Sequence, residues 1–163
     1  MSILIDTGVF YAFYNRKDIH HPDSLCLILH ALEGRWGGVF TTILVVAETA
    51  TLLRYRVGVN AALAFLDSVS KSGVRIIFVD EELYEGAVNI FSKYRERELS
   101  LTDASIIAVM MKLKIGMLAT YDERSFGGIV ESVVGSKYSQ TISQSELEKT
   151  LKEADKWLGR PRN

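Results

Sequence analysis

Short apolar runs alternate with longer amphipathic stretches along the whole chain. Apolar and β-branched runs bounded by turn-forming residues are typical of buried strands, whereas apolar positions that recur every three or four residues indicate helices. The run Val74–Val79 is the clearest strand by this criterion. We predict strands at Ser2–Ile5, Val39–Thr41, Val74–Val79, Met117–Thr120 and Glu131–Val134.

Helical periodicity fills most of the segments between these strands. We predict helices that follow His21-Pro22-Asp23, span Ile43–Tyr55, run from Asn60 to about Gly73, follow Asp80, and run from Ser100 to about Lys114. Asp and Ser side chains accept hydrogen bonds from the free N–H groups of a first helical turn. We therefore expect Asp80 and Ser100 to cap their helices, and Asp23 or Ser24 to cap the helix after Pro22.

The order of these elements predicts the fold class. Strands that alternate with helices form a parallel sheet covered by helices on both faces. The expected architecture is α/β, a three-layer α/β/α sandwich around a central, mostly parallel sheet. The 163 residues are enough for one domain of ordinary size, which we assign to residues 1–135.

The tail, residues 136–163, has a different pattern. It begins with a polar segment, and the spacing of Ser145 and Glu148 then matches a capping box at the start of a helix. The apolar positions of this helix are Leu147, Leu151, Ala154, Trp157 and Leu158. We expect an amphipathic C-terminal helix that extends the same domain.

Composition narrows the functional classes. Hydrophobic residues make up 48% of the chain and charged residues 24%, as in folded globular proteins. Because Cys26 is the only cysteine, an intramolecular disulfide and a cysteine-built zinc site are excluded, and a reducing compartment, the cytoplasm, is expected. The N-terminal segment lacks the features of a signal peptide, and no apolar stretch is long enough to span a membrane.

The charge balance limits how the chain could meet a nucleic acid. Its net charge is −1, so it lacks the overall positive field of many nucleic-acid-binding proteins, and contact would need a local patch. The candidates for phosphate contacts are Arg16, Lys17, Arg54, Arg56 and the spaced set Lys93, Arg95 and Arg97. Solvated surface charge is the alternative explanation for these residues. His30 is expected on the exposed side of its helix.

Two aspartates follow predicted strands directly. Asp6 comes after Ser2–Ile5, and Asp122 comes two residues after Met117–Thr120. In open α/β sheets, ligand sites lie at the carboxyl ends of the strands. If the two strands are neighbours, both carboxylates face the same crevice. The structural alternatives are a helix N-cap for Asp6 and a turn-forming role for Asp122.

Two further acids are predicted on helices. Glu48 has apolar neighbours at helical spacing, where an unpaired charge is costly. Asp103 precedes the apolar stripe Ile106, Ile107 and Met110, which puts it at the edge of the core. The alternative for Asp103 is a capping box with Ser100.

Four carboxylates that met without a cation would repel one another strongly. A divalent metal is the simplest resolution. An all-oxygen ligand set without Cys or His suits Mg²⁺ or Mn²⁺. Two such ions can activate a water and stabilise the leaving oxygen in the hydrolysis of a phosphodiester.

Four segments carry a family resemblance. They are Leu4–Phe10 (LIDTGVF), Val46–Glu48 (VAE), Leu99–Ala108 (LSLTDASIIA) and Leu118–Asp122 (LATYD), the last followed by Phe126. In this order they resemble the PIN-domain ribonucleases, especially the VapC-like toxins of toxin–antitoxin pairs. The resemblance implies that the catalytic, metal-binding acids are Asp6, Glu48, Asp103 and Asp122, supported by the hydroxyls of Thr7 and Thr120. It also implies an RNA substrate, a homodimer and a cognate antitoxin.

The chain departs from the family pattern in three ways. Gly8 stands where the family usually has Ser, and one additional residue separates Asp122 from Phe126. The longer loop leaves Glu123 as a rival or additional metal ligand. The tail helix is not part of the usual short toxin.

We therefore predict a Mg²⁺- or Mn²⁺-dependent endoribonuclease that uses a bound water as nucleophile. Two other functional classes remain open. One is a non-catalytic PIN-fold interaction module that binds a partner through its tail helix, although such a module has no need of the charged Glu48 on an apolar face. The other is a phosphatase or phosphoacceptor with Asp6 as nucleophile, which would need a second Asp where Gly8 stands.

Overall fold

The computed structural model describes residues 1–157, with side chains described through residue 154. Within this range the strands form one five-stranded sheet in the order β3-β2-β1-β4-β5, and every neighbouring pair is parallel. The strands are β1 (Ser2–Ile5), β2 (Gly38–Thr42), β3 (Arg75–Ile77), β4 (Met117–Ala119) and β5 (Ser132–Val134).

Helices occupy the connections between the strands. They are α1 (Thr7–Tyr14), α2 (His21–Leu32), α3 (Ile43–Arg56), α4 (Val59–Lys71), α5 (Glu81–Lys93), α6 (Leu101–Leu113), the single turn α7 (Glu123–Phe126) and α8 (Gln144–Trp157), with a 3₁₀ turn at Tyr138–Gln140. This arrangement confirms the predicted α/β/α sandwich. No helix within residues 1–157 is both long enough and apolar enough to cross a membrane.

The central strand β1 is the most deeply buried part of the sheet. Ile3, Leu4 and Ile5 are almost completely inaccessible to solvent. Helices cover both faces of a parallel sheet, so such a strand has apolar residues at consecutive positions instead of alternating ones. The run that predicted β1 is therefore a direct consequence of its central position.

The strand that the sequence predicts most clearly is shorter in the structure than predicted. The predicted strand Val74–Val79 forms ladder pairs only at Arg75–Ile77, and Phe78 is 70% exposed. β3 lies at the edge of the sheet and pairs with β2 alone. An edge strand has a neighbour on one side only, so β propensity beyond the last paired residue does not extend the ladder.

Two of the predicted helix caps are present and one is wrong. The Asp80 carboxylate accepts from the Leu83 N–H at 2.9 Å, and Ser100 and Asp103 form a reciprocal capping box. Asp23 lies inside the first turn of α2, and neither its carboxylate nor the Ser24 hydroxyl caps that helix. Asp23 instead accepts from the backbone N–H groups of residues 137 and 139, both at 2.8 Å.

The tail packs against α2. Its helix begins two residues earlier than a Ser145 cap would require, because the Ser143 hydroxyl accepts from the Glu146 N–H at 3.2 Å. On the inner face of α8, Leu147 and Leu151 are half-buried and Ala154 is fully buried. The predicted contributions of Trp157 and Leu158 to this face lie outside the described side chains.

A polar network joins α2 to the tail. His30 is 1% exposed, so the expectation that it lies on the surface is wrong. Its Nδ1 lies 2.9 Å from the Tyr138 hydroxyl and its Nε2 lies 3.3 Å from the Thr150 hydroxyl. Arg35 donates to Tyr138 at 3.1 Å and also to Glu146. The tail therefore supplies the hydrogen-bond partners of the buried His30 and of Arg35.

This network predicts a pH dependence of stability. Burial and the Arg35 charge lower the pKa of His30, and the Glu146 charge opposes them in part. A folded state that disfavours protonated His30 loses stability as the pH falls below the ordinary histidine value of about 6.5. We expect His30→Gln to lower the free energy of unfolding by about 1–2 kcal/mol at pH 7.5 through its lost hydrogen bonds, and by less at pH 5.

Urea denaturation at the two pH values measures this difference. His20→Gln, which removes a partly exposed imidazole, is the control variant. A penalty for His30→Gln that grows on acidification would contradict the assignment of a neutral His30.

Candidate active site

The strand order places two sequence-distant residues side by side. From β1 the chain proceeds to β2 and β3 on one side of the sheet, and later to β4 and β5 on the other. Such a reversal of strand order opens a crevice at the carboxyl ends of the two central strands. β1 and β4 end in register at Ile5 and Ala119, so the next residues, Asp6 and Thr120, meet in that crevice.

Asp6 is held by two hydrogen bonds to its carboxylate. The Thr7 N–H donates to Oδ1 at 2.6 Å and the Thr120 hydroxyl donates to Oδ2 at 2.7 Å. Its backbone N–H donates to the Ala119 carbonyl at 3.0 Å. The side chain also caps α1, as the structural alternative for Asp6 stated. These contacts fix both carboxylate oxygens at the mouth of the crevice.

Burial raises the pKa of Asp6 from 3.8 to about 7, against the lowering effect of the Thr120 hydrogen bond. The charges of Asp103 and Glu48 raise it further. Asp103 and Glu48 therefore each lie within electrostatic reach of Asp6, and a negative charge on Asp6 is unfavourable without a compensating cation.

Asp103 and Asp122 form the next linked pair. Burial raises the pKa of Asp103 and the charge of Asp122 adds to it, while hydrogen bonds with Ser100 lower it. Asp122 is exposed and accepts from the Ser125 N–H at 3.0 Å, so it caps α7. Its backbone N–H donates to the Thr120 hydroxyl oxygen at 3.1 Å. Thr120 thus connects the carboxylate of Asp6 to the backbone of Asp122.

Glu48 lies in the second turn of α3 and is half-buried. α3 begins directly after β2, the neighbour of β1 on the side away from β4. The Thr42 hydroxyl caps α3 and lies 3.4 Å from the Ser105 hydroxyl of α6. This contact joins the helices that carry Glu48 and Asp103, and the sequence analysis did not identify it, although Thr before a helix is a common cap.

The remaining candidates divide into two groups. Thr7 lies at the crevice, and its buried hydroxyl has no hydrogen-bond partner among the described residues. Glu123 is exposed as the first residue of α7, and its charge is not among those that raise the pKa of Asp6 or Asp103. The charges that act on Asp6 and Asp103 thus come from the other predicted acids and not from Glu123.

The basic candidates lie on the surface. Arg16 and Lys17 follow α1, and Arg54 and Arg56 occupy the last turn of α3. All four are exposed, and none takes part in an ion pair with a described residue. Arg97 differs, because its guanidinium bonds to backbone carbonyls after Asp122.

The chemistry of the donor set fits a hard divalent cation. Carboxylate and hydroxyl oxygens surround the crevice, like charges raise the pKa values of Asp6 and Asp103, and the Thr7 hydroxyl is buried without a partner. Among the described residues, no three His, Cys, Asp or Glu side chains are grouped closely enough to hold a metal ion. The acids are electrostatically coupled without already forming a coordination shell.

Comparison with known proteins identifies related chains. The family model described as PIN domain matches residues 3–130. The chain is 39% identical over 150 residues to "VapC ribonuclease" of Archaeoglobus fulgidus, which covers 90% of both chains. It is 33% identical over 134 residues to "23S rRNA-specific endonuclease VapC20" of Mycobacterium tuberculosis, over 79% of this chain and 96% of that one.

Solved structures share the fold. The crystal structure of VapC20, titled a sarcin-ricin loop cleaving toxin, matches with a TM-score of 0.71 at 32% identity over 79% of this chain and 97% of that chain. A toxin-antitoxin complex from Klebsiella pneumoniae matches with a TM-score of 0.57 at 18% identity over 81% of this chain and 96% of that chain. The second likeness concerns the fold alone.

The raised pKa of Asp6 predicts that this residue opposes folding at alkaline pH. A carboxyl group with a folded pKa of about 7 is stabilising below its unfolded value of 3.8, and this contribution is lost as the pH rises toward and past 7. In EDTA at pH 8 we expect Asp6→Asn to raise the free energy of unfolding by about 2–4 kcal/mol. The gain should disappear near pH 4.

Thermal and urea denaturation test this expectation. Asp80→Asn, which changes an exposed carboxylate that caps α5, is the matched control and should show no such gain. If Asp6→Asn were less stable than the wild type at pH 8 in EDTA, the ionised carboxylate of Asp6 would not destabilise the folded state.

Proposed function

The chain belongs to the PIN domain family, and from this membership we propose that it is a divalent-metal-dependent endoribonuclease and the toxin of a toxin–antitoxin pair. The observation that carries the proposal is the buried Asp6 at the switch point of the sheet, whose pKa is raised first by burial and further by the charges of Asp103 and Glu48. A bound cation would offset the cost of a negative charge at this place. The names of the two relatives, a ribonuclease and an rRNA endonuclease, support the same reaction class.

We assign metal binding and catalysis to Asp6, Glu48, Asp103 and Asp122, with Mg²⁺ or Mn²⁺ as the ion. A bound divalent ion would supply an activated water and charge stabilisation for the hydrolysis of a phosphodiester. The Thr7 N–H and the Thr120 hydroxyl each occupy one oxygen of Asp6, so its carboxylate is held in one orientation before any ion arrives. Glu123 is an additional ligand only if α7 turns toward the crevice.

Thr120 has a positioning role in this assignment. It donates to Asp6 Oδ2 and accepts from the Asp122 N–H, and it is completely buried. Loss of the hydroxyl would free Asp6 Oδ2 and release the backbone of Asp122. Thr7 contributes its backbone N–H, and its partnerless hydroxyl is available to orient a water in the crevice.

RNA must approach a crevice of negative charge. Arg16, Lys17, Arg54 and Arg56 are exposed and without ion-pair partners among the described residues, so they are available to phosphate groups. Because the net charge of the chain is −1, these local contacts must supply most of the electrostatic attraction. We place the activity in the cytoplasm, where RNA substrates are found and where a lone cysteine remains reduced.

We further propose a homodimer and a cognate antitoxin as protein partners. Apolar side chains on α4 are exposed, including Leu63 at 59% and Val59 at 45%. Exposed apolar surface of this kind marks sites of association with other proteins. The fold is shared with a toxin-antitoxin complex among the structural neighbours, which supports an antitoxin as the partner of this chain.

Cleavage of a panel of labelled RNAs and DNAs tests the reaction. We expect the wild type to cut RNA in Mn²⁺ or Mg²⁺ and not in EDTA. Asp6→Asn and Glu48→Gln should each reduce kcat by about 100-fold or more, since each removes a charge aimed at the reacting centre.

Asp80→Asn serves as the control, since Asp80 is an exposed cap on α5. Mn²⁺ binding with no cleavage of any substrate would favour a non-catalytic interaction module. Cleavage that persists in EDTA or in Asp6→Asn would refute the metal-dependent mechanism.

Substitution of the basic residues at the end of α3 separates substrate binding from chemistry. We expect Arg54→Gln combined with Arg56→Gln to raise KM with little change in kcat. The slope of log affinity against log salt should fall by about 0.7 for each lost phosphate contact. Lys71→Gln, which removes an exposed charge already paired with Asp67, is the control. An unchanged salt slope would mean that these arginines do not touch RNA.

A further inference from the structure

The guanidinium of Arg97 is used in an unusual way for an exposed arginine. Its Nη1 lies 3.1 Å from the carbonyl oxygen of Arg124, 3.3 Å from that of Ser125 and 2.8 Å from that of Gly127. These carbonyls belong to the end of α7, where a helix leaves its acceptors without internal partners. Arg97 therefore acts as a cap for α7 that comes from a different part of the chain.

α7 needs such support because it is a single turn. Helices this short are not stable on their own. At its start, the Asp122 carboxylate accepts from the Ser125 N–H at 3.0 Å. At its end, the Gly127 N–H donates to the Glu123 carbonyl at 2.8 Å, and a Cβ at Gly127 would come within 2.7 Å of that oxygen. Asp122 and Arg97 thus close the same turn from opposite ends.

The chain segment that begins at Arg97 leads to a second acid, Asp103. Arg97 is followed three residues later by Ser100, whose reciprocal capping box fixes the carboxylate of Asp103. The backbone N–H of Arg97 donates to the Tyr94 carbonyl at 2.8 Å, which ties the arginine to the end of α5. The side chain of Arg97 therefore joins the segment before Asp103 to the helix α7, which follows Asp122.

Asp122 is exposed and begins the short helix α7. The bonds from Arg97 to the three carbonyls restrict the displacement of this turn from its other end.

We propose that Arg97 is a positioning residue that holds Asp122 opposite Asp103, and that it is not a phosphate contact. This inference rests on the proposed nuclease function of the four acids. It separates Arg97 from Lys93 and Arg95 in the spaced set of candidate phosphate contacts, because the Nη1 of Arg97 donates to backbone carbonyls.

The two roles respond differently to lysine. All three contacts are made by one atom, Nη1, which lies one bond further from Cα than the ammonium of a lysine. An ammonium on its flexible stem would preserve the charge for a contact with phosphate, but it would stop short of the three carbonyls. Arg97→Lys and Arg97→Gln should therefore behave alike if Arg97 positions the turn, and differently if it binds RNA.

The experiment compares Arg97→Lys and Arg97→Gln with Arg124→Lys and Arg124→Gln. Arg124 lies on α7 and is exposed, so it controls for charge lost at the same place. We expect both Arg97 variants to lose about 10-fold or more in kcat, with KM within about twofold of the wild type, because small misplacements of a catalytic group are costly. The Arg124 variants should keep the wild-type kcat. If Arg97→Gln does not fold, Arg97→Lys decides the matter alone.

A second readout is independent of turnover. Mn²⁺ titration followed by electron paramagnetic resonance should show weaker binding to Arg97→Lys than to Arg124→Lys. Near-normal kcat in Arg97→Lys, with a raised KM and a reduced salt slope in Arg97→Gln, would overturn the proposal in favour of a phosphate contact.

The Mn²⁺ measurement also separates this inference from the proposed function. If the wild type cuts no RNA, the nuclease assignment fails, and weaker Mn²⁺ binding by Arg97→Lys alone would still support positioning of the acids. Equal Mn²⁺ binding by Arg97→Lys and Arg124→Lys, or no Mn²⁺ binding by the wild type, would overturn the positioning role of Arg97.

Discussion

The parallel pairing of β1 with β4 is the contact on which the rest of the molecule depends. It places Asp6 beside Thr120, although 114 positions separate them in the sequence. Closing so large a loop is entropically unfavourable, and the apolar burial of β1 and its neighbours offsets that cost. The same pairing reverses the direction in which strands are added to the sheet. The buried strand β1 therefore leads directly into Asp6, the carboxyl group whose charge is unfavourable in the crevice.

The acids in the crevice have structural as well as chemical roles. Asp6 caps α1, Asp103 belongs to the capping box of α6 and Asp122 caps α7. The N-terminus of a helix carries partial positive charge, which stabilises the carboxylate that caps it. This effect partly offsets the repulsion from the neighbouring acids. The structural and functional interpretations of these residues are therefore not alternatives. Glu48 differs, since it lies in the second turn of its helix and has no cap to make.

Much of the fold could be predicted because its signals are local. The alternation of elements, the buried run of β1 and the capping box at Ser100 each follow from nearby residues, and the structure confirms them. Signals that depend on distant partners were not visible in the sequence. Asp23 looked like a cap but binds residues 137 and 139, and His30 looked exposed until the tail covered it. The length of β3 depended on its place at the sheet edge.

The candidate site divides in the same way. The positions of Asp6 and Asp122 after strands predicted a shared crevice, and the family resemblance added Glu48 and Asp103. The electrostatic effect of these two acids on Asp6 comes only from the tertiary structure. The role of Arg97 could not be predicted from sequence, because backbone carbonyls carry no residue identity. The assignment of the four acids to metal binding stays a prediction.

The sequence distance between Asp6 and Thr120 also determines when the crevice can form during synthesis of the chain. A ribosome adds about 5–20 residues per second, so on the order of ten seconds pass between the synthesis of Asp6 and that of Thr120. Until β4 has emerged, the nascent chain contains Asp6 and Glu48 but neither the hydroxyl that orients Asp6 nor Asp122. A chain interrupted before β4 cannot assemble the crevice. The order of the strands therefore means that the crevice can form only after most of the chain has been synthesised.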